Sequence, residues 1–276
     1  HLLRRIDFPQ GALKNWANLE DVEVLVTPVP WTVNILPLEE VDVENNVAWM
    51  AREATAPVWA KNKFGIWVEN VIDFLSEPGE WVVDTQAGKV YLWSEGDEPS
   101  DGIIAPCLKA FIRVEGEVDY DGPEDVPVRN ISFRGITFTH GERDVWDEDL
   151  KGWGVQHDWE IFDRDTGLLR FRGAEDCLVE ACRFTNSGGT AIRLDLHCQR
   201  IRVEKNLIDY MGAVGILLCG YGPGTKDVNK NNEIVNNLIH HCGEVIWHGH
   251  AIFVWQSGSN RIANNLIHHC ARKAIG

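Results

Sequence analysis

The sequence predicts an all-β protein: a parallel β-helix, or solenoid, over residues 128–276, with an antiparallel β subdomain over residues 1–127. Three observations predict it. The heptapeptide Asn236-Asn237-Leu238-Ile239-His240-His241-Cys242 recurs unchanged as Asn264-Asn265-Leu266-Ile267-His268-His269-Cys270, 28 residues later. After each copy of this repeat a glycine-containing turn leads into a short apolar run that alternates with the two-residue period of a strand. No segment carries a long apolar period of 3.6 residues, so helices are not expected.

Weaker copies extend the repeat backwards. Val203-Glu204-Lys205-Asn206-Leu207-Ile208 lies 31 residues before the first copy, counted from Asn206 to Asn237, and Val179-Glu180-Ala181-Cys182-Arg183-Phe184 lies 24 residues before that. Phe133-Arg134-Gly135-Ile136-Thr137-Phe138 is the earliest trace. The second runs are Ala191–Leu194, Gly215–Leu218, Ala251–Val254 and Ala274-Ile275-Gly276. Two or three short strands per repeat, with apolar positions in register, stack coil on coil about 4.8 Å apart. Asn206, Asn237 and Asn265 share one register, which predicts an inward amide ladder at a bend. The stacked histidines are read as turn residues repeated by the solenoid, and Cys242 and Cys270 as buried neighbouring thiols.

Insertions interrupt the coils at residues 139–167, 219–232 and 243–250, and solenoids commonly bind on the face that carries such loops. In residues 1–127 the runs Val22–Val26, Gly65–Val68 and Gly79–Asp84 read as strands, and Lys89–Trp93 after Gln86-Ala87-Gly88 as the second arm of a hairpin. A remnant of β-helix is expected within residues 1–30. The acidic stretch Glu115–Asp125 is read as the linker to the coils. The chain begins without an initiator methionine and ends inside its repeat, and so reads as a piece of a longer polypeptide.

Composition bounds the function. With 26 Lys+Arg against 42 Asp+Glu the net charge is −16, which disfavours a polyphosphate partner. No apolar stretch approaches the roughly 20 residues of a membrane helix. Neither nucleic acid nor membrane is therefore expected as a partner. The seven cysteines include no CxxC pair, which argues against a disulfide framework and a thiolate zinc site.

Trp67-Val68-Glu69-Asn70-Val71, Glu77-Pro78-Gly79-Glu80-Trp81 and Gly88-Lys89-Val90-Tyr91-Leu92-Trp93 resemble the insertion domain of the GH141-like glycoside hydrolases. Val128–Ile136 (VRNISFRGI) is similar to the stretch that resumes the coils in those enzymes. The resemblance implies a right-handed parallel β-helix, a polysaccharide or oligosaccharide substrate and an exported protein, periplasmic or secreted. It carries no catalytic residue across.

Candidate site residues come from the register instead. With Ile192/Ile216/Ile252 and Leu194/Leu218/Val254 inward, the outward rows are Arg193, Leu217, Phe253 and Asp195, Cys219, Trp255, extended by Arg170 and Arg172. Glycoside hydrolysis needs two carboxyl groups about 5–9.5 Å apart. Asp195, beside arginines that keep it ionised, is the expected nucleophile or base, and Glu244, next to Trp247, the expected acid. Asp158 and Glu160 are a reserve of carboxylates. Trp159, Trp247, Trp255, His248, Arg193 and Asp158 are the expected substrate contacts, because a sugar offers an apolar C–H face and a hydroxylated edge. Trp146 and Trp153 belong to the same loop-borne aromatic set. No cofactor or metal site is expected; Ca²⁺ enters only with the alternative of a polysaccharide lyase, in which Arg170, Arg172 or Arg193 takes a proton. A non-catalytic glycan-binding or structural β-helix is the third reading.

Overall fold

The computed structural model describes residues 2–28, 31–58, 65–94, 96, 102–145 and 163–276. The chain divides into two compact units, 1–104 with 145–156, and 105–144 with 157–276. Among the described residues there is no α-helix, only strands and two single-turn 3₁₀ segments.

In the first unit the alternating runs build a five-stranded antiparallel sheet in the order Arg5–Asp7, Val47–Met50, Asn34–Asp42, Glu23–Val26, Ile66–Glu69. Val22, Val24, Val26, Leu36, Leu38 and Met50 supply its core. Asn70, in the left-handed region at φ 61°, ties the sheet's last strand onward: its Oδ1 accepts from the Val83 amide and its Nδ2 donates to the Asp21 and Val83 carbonyls. The expected hairpin forms between Trp81–Asp84 and Lys89–Leu92, with Gly88 supplying the turn's positive φ of 62°. Residues 5–7 and 23–26 both pair antiparallel. The expected β-helix remnant within residues 1–30 is therefore absent from the described part of that segment.

The second unit is a solenoid of three parallel sheets. The first stacks Ser132–Arg134, Leu178–Glu180, Arg202–Glu204, Glu233–Val235 and Arg261–Ala263. The second stacks Thr137–Thr139, Arg183–Ser187, Leu207–Met211, Leu238–Cys242 and Leu266–His268. The third stacks Ile112–Glu115, Leu169–Glu175, Ile192–Gln199, Ile216–Cys219 and Ile252–Trp255, with Val128–Arg129 and Asn229–Lys230 at its far end. Ile252 also bridges to Ile275, so residues 274–276 continue the third sheet's register.

Like stacks on like inside the coils. Phe138 lies on Phe184 with ring centroids 4.6 Å apart, and Phe184, Ile208 and Ile239 continue that row, wholly buried. The asparagine ladder forms as expected. The Asn206 amide donates to Asn237 Oδ1 and the Asn237 amide to Asn265 Oδ1, both at 3.0 Å. Asn237 Nδ2 is satisfied by the Val203 carbonyl and Asn265 Oδ1. A second ladder, Asn232 on Asn260, serves the next bend.

The acidic stretch is not a linker. Ile112–Glu115 already pairs with Leu169–Glu175 in the third sheet, and Glu117 bridges back to Val126. A linker sheds its carboxylates into water, whereas this loop turns Asp125 onto the solenoid, where its side chain is 2% exposed.

Candidate functional site

The three sheets are not equivalent. Every connection from the first sheet to the second takes two residues, such as Ala181-Cys182 and Lys205-Asn206. Among the described residues of this unit, the long insertions adjoin the third sheet. Residues 140–145, 163–168 and 243–251 flank its entry from the second sheet, and residues 116–127 and 220–228 interrupt it, each followed by a two-residue strand, Val128–Arg129 or Asn229–Lys230, that pairs back into the same sheet. The third sheet's outer face is thus the floor between two sets of loops.

The two-residue period puts Leu169, Phe171, Ile192, Leu194, Ile216, Leu218 and Ile252 into the core. The alternate side chains form two outward rows. One runs Arg113, Arg170, Arg193, Leu217, Phe253, and the other Glu115, Arg172, Asp195, Cys219, Trp255. From Arg170 and Arg172 onward these are the rows that the repeat alignment predicts, and the structure adds Arg113 and Glu115.

Asp195 is placed differently from expectation. It is 0% exposed, and its carboxylate is saturated. Oδ2 accepts from Arg170 Nη2 at 2.8 Å, Arg193 Nε at 3.1 Å, Arg170 Nε at 3.2 Å and the Arg164 amide at 3.2 Å, and Oδ1 accepts from the Asp163 amide at 3.2 Å. Two neighbouring arginines in the row above are what draw it in. Arg193, wholly buried, also donates to Thr166 Oγ1. Asp195 is closed to solvent and anchors these guanidinium groups and the Asp163–Arg164 backbone.

Two carboxylates of this cluster face solvent, Glu115, which accepts from Arg170 Nη1 at 3.2 Å, and Asp163. It bonds Arg172 through both oxygens and Arg170 Nη2 at 2.9 Å. The Arg172 hydrogen bonds hold its carboxyl below the usual aspartate range against the opposing effect of burial, and the charge of Arg170 adds to them. Its side chain is 35% exposed.

On the other loop, Glu244 is exposed, held by a bond from its amide to the Met211 carbonyl. No hydrogen bond or ion pair joins it to Asp195 among the described residues. Trp247 is exposed beside it, while His248 and His250 are buried, and the His250 ring lies 4.6 Å from Phe253 of the outward row. Trp255 is half-buried at the end of its row. Asp158, Trp159, Glu160, Trp146 and Trp153 lie outside the described residues.

A further cluster on the same sheet escapes the sequence reading. Its cause is backbone irregularity: Gly173 and Leu196 adopt positive φ, 66° and 52°, and the register slips between Arg172 and Ala174. Past the bulge Cys198 faces inward and His197 outward, and His197 sits between two carboxylates, Nδ1 3.0 Å from Asp125 and Nε2 2.9 Å from Glu175. Asp125 also accepts from Tyr221 Oη and Lys226 Nζ, each at 3.0 Å. Burial alone raises the Asp125 carboxyl, but hydrogen bonds from Lys226, His197, the Asp119 amide and Tyr221 outweigh it and hold the group low. Glu175 is likewise held low, with burial opposed by Arg129, His197 and Arg200. A cavity of about 450 Å³ opens here, lined by Asp125, His197, Lys226 and Asp227 among others. A histidine two residues after Asp195 in an alternating strand was the available signal; the bulge that turns it towards Asp125 leaves no mark in one sequence.

A family model described as "Right handed beta helix region" matches residues 169–276. The fold is a right-handed parallel β-helix. A solved structure named "Glycoside hydrolase" superposes with a TM-score of 0.63 at 17% identity, over 92% of this chain and 56% of that one. The chain thus spans little more than half the length of that neighbour, and at this identity the likeness concerns the fold. No curated protein sequence matches the chain.

Proposed function

We propose that this β-helix acts on a polysaccharide or oligosaccharide laid across the outer face of its third sheet, and that it hydrolyses a glycosidic bond there. The observation that carries the reading is that the solenoid's long described insertions, 116–127, 220–228 and 243–251, all adjoin one sheet. Between them lies a face of carboxylates, fixed arginines and aromatic rings. Phe253, Trp255 and Trp247 offer flat apolar surface to sugar C–H faces, and charged groups beside them offer partners to hydroxyls.

Glu244 serves as the general acid in this proposal, being an exposed carboxyl on the turn that leads onto the face. Asp163 supplies the ionised carboxylate, since arginine bonding keeps it charged while leaving it open to solvent. Asp195 positions Arg170 and Arg193, and holds Asp163 through Arg170 and through the Asp163 amide. Hydrolysis is preferred to β-elimination because Arg170, Arg172 and Arg193 are each bound to carboxylates. A guanidinium so paired is stabilised as the cation and is a poor proton acceptor. The neighbour named "Glycoside hydrolase" supports the same reading.

The test is a polysaccharide panel assayed for new reducing ends and for the ultraviolet absorbance of unsaturated uronides. Reducing ends alone, lost in Glu244→Gln and in Asp163→Asn, are the expected result. Both signals together would indicate a lyase, and retention on a glycan without product a binding module. Turnover unchanged in both variants would remove these two residues from the reaction.

A further inference from the structure

The exact repeat of His240-His241 as His268-His269 is not used by the proposed reaction. It lies on the second sheet, whose outward row runs Thr139, Thr185, Asp209, His240, His268. The next residue in each coil is a bend in the left-handed region, and that row runs Asn186, Tyr210, His241, His269 with φ of 48°, 52°, 53° and 50°. Solenoid stacking turns one dipeptide repeat into two columns of imidazoles. His240 and His268 have ring centroids 4.8 Å apart and planes within 8°, and His241 and His269 are 5.3 Å apart within 7°.

Within each coil the two rings turn the same nitrogen towards each other. His240 Nδ1 lies 2.8 Å from His241 Nδ1, and His268 Nδ1 lies 2.8 Å from His269 Nδ1. Metal–imidazole bonds of about 2.0–2.1 Å place two nitrogens about 2.9 Å apart at a right angle and about 3.3 Å apart at a tetrahedral angle. The observed spacing is that of an N–H···N hydrogen bond, and it is also short enough for two deprotonated Nδ1 atoms to meet one ion. Imidazole ligands suit Cu²⁺ and Ni²⁺, and Cu²⁺ stands at the top of the affinity order for such donors.

A second observation comes from the neighbouring coil. Asp209 pairs in register with His240, its side chain is 5% exposed, and Arg183 takes only its Oδ2. Its Oδ1 is buried without a hydrogen-bond partner. An unsatisfied carboxylate oxygen beside an imidazole column is costly unless a cation or a polarised N–H comes to it.

We propose that the His240/His241 and His268/His269 pairs form a surface site for a divalent late transition metal, Cu²⁺ or Ni²⁺, bound through paired Nδ1 atoms. His240 and His241 are half-buried and His268 and His269 exposed, so the ion has access from solvent. Among the described residues no group of three or more His, Cys, Asp or Glu could hold a metal ion, so each histidine pair supplies two ligands by itself. The remaining positions on the ion are therefore left to water or to an external ligand, as in an open site.

The test is calorimetric titration of the 276-residue chain with NiCl₂, then CuCl₂ and ZnCl₂, at neutral pH. The double variant His241→Asn/His269→Asn removes one nitrogen from each bite. Asparagine already occupies the bend row at Asn186 and tolerates the left-handed backbone, so an unchanged circular dichroism spectrum accompanies it. The wild-type chain is expected to show saturable Ni²⁺ binding that weakens at least about tenfold in the double variant, since loss of even an outer partner costs about 10–100-fold. Cu²⁺ is expected to bind more tightly than Zn²⁺ and to show two imidazole nitrogens in its paramagnetic resonance spectrum, reduced to one in the variant. Absence of saturable Ni²⁺ binding, or equal binding by the folded variant, would overturn the site and leave the Nδ1 contacts as hydrogen bonds alone.

Discussion

Asp195→Asn separates a structural from a catalytic role for the carboxylate that the sequence favours most. The substitution keeps the shape of the side chain and removes its charge. Asp195 and Arg193 are both 0% exposed, so the variant removes the charge from a buried Nε···Oδ2 contact of 3.1 Å. Arg170 is cushioned, because it retains Asp163 and Glu115. Breaking a buried pair by removing one partner costs about 3–5 kcal/mol, and with Arg170 still paired the lower end, about 3 kcal/mol, is expected here. Urea unfolding at neutral pH, followed by circular dichroism, measures it. Replacing the pair together, as Arg193→Met/Asp195→Asn, is expected to recover much of the loss, since an apolar group of similar volume needs no counter-charge. A single variant within about 0.5 kcal/mol of the parent that has nevertheless lost turnover would refute the reasoning and return Asp195 to the chemistry.

Three further outcomes follow from the geometry. Gly212→Ala is expected to destabilise by about 1–3 kcal/mol, because its Cβ would lie 2.2 Å from the Gly188 carbonyl oxygen of the coil beneath; a neutral effect on the urea midpoint would contradict that contact. A hydrogen bond from Cys242 lowers the Cys270 thiol to about 7, whereas burial raises Cys177 and Cys198. Mass mapping after brief alkylation at neutral pH is expected to find Cys270 modified well before Cys177 and Cys198, and equal labelling would count against it. Asp163, Asp125 and Glu175 have folded-state pKa values below their unfolded ones. Their stabilisation is present above the ordinary carboxylate range and is lost as pH falls through the lowered values, below about pH 4. A urea midpoint that stays level from pH 6 to pH 3 would disprove that linkage.

The solenoid was legible because its signal is redundant. Each inward position of the third sheet is reported by several coils at once, and Ile192, Ile216 and Ile252 align without gaps. The asparagine ladder was legible for the same reason, Asn206, Asn237 and Asn265 recurring where a bend needs an amide. What single positions do was harder to read. Asp195 shows as an outward carboxylate, yet its burial depends on how Arg170, Arg193 and the loop end at Asp163 close over it. The role of His197 depends on bulges at Gly173 and Leu196. Asp125 looked like linker charge because a run of carboxylates is usually solvated, and its partners Tyr221 and Lys226 are about a hundred positions away in the chain. Irregular backbone and long-range polar contacts leave no period behind them.

The most direct test of the central claim is product analysis after incubating the chain with a panel of plant and algal polysaccharides. New reducing ends without unsaturated uronides, abolished by Glu244→Gln in a variant that still folds, are the predicted result. Unsaturated products, or full turnover by Glu244→Gln, would contradict hydrolysis by a carboxylate on this face.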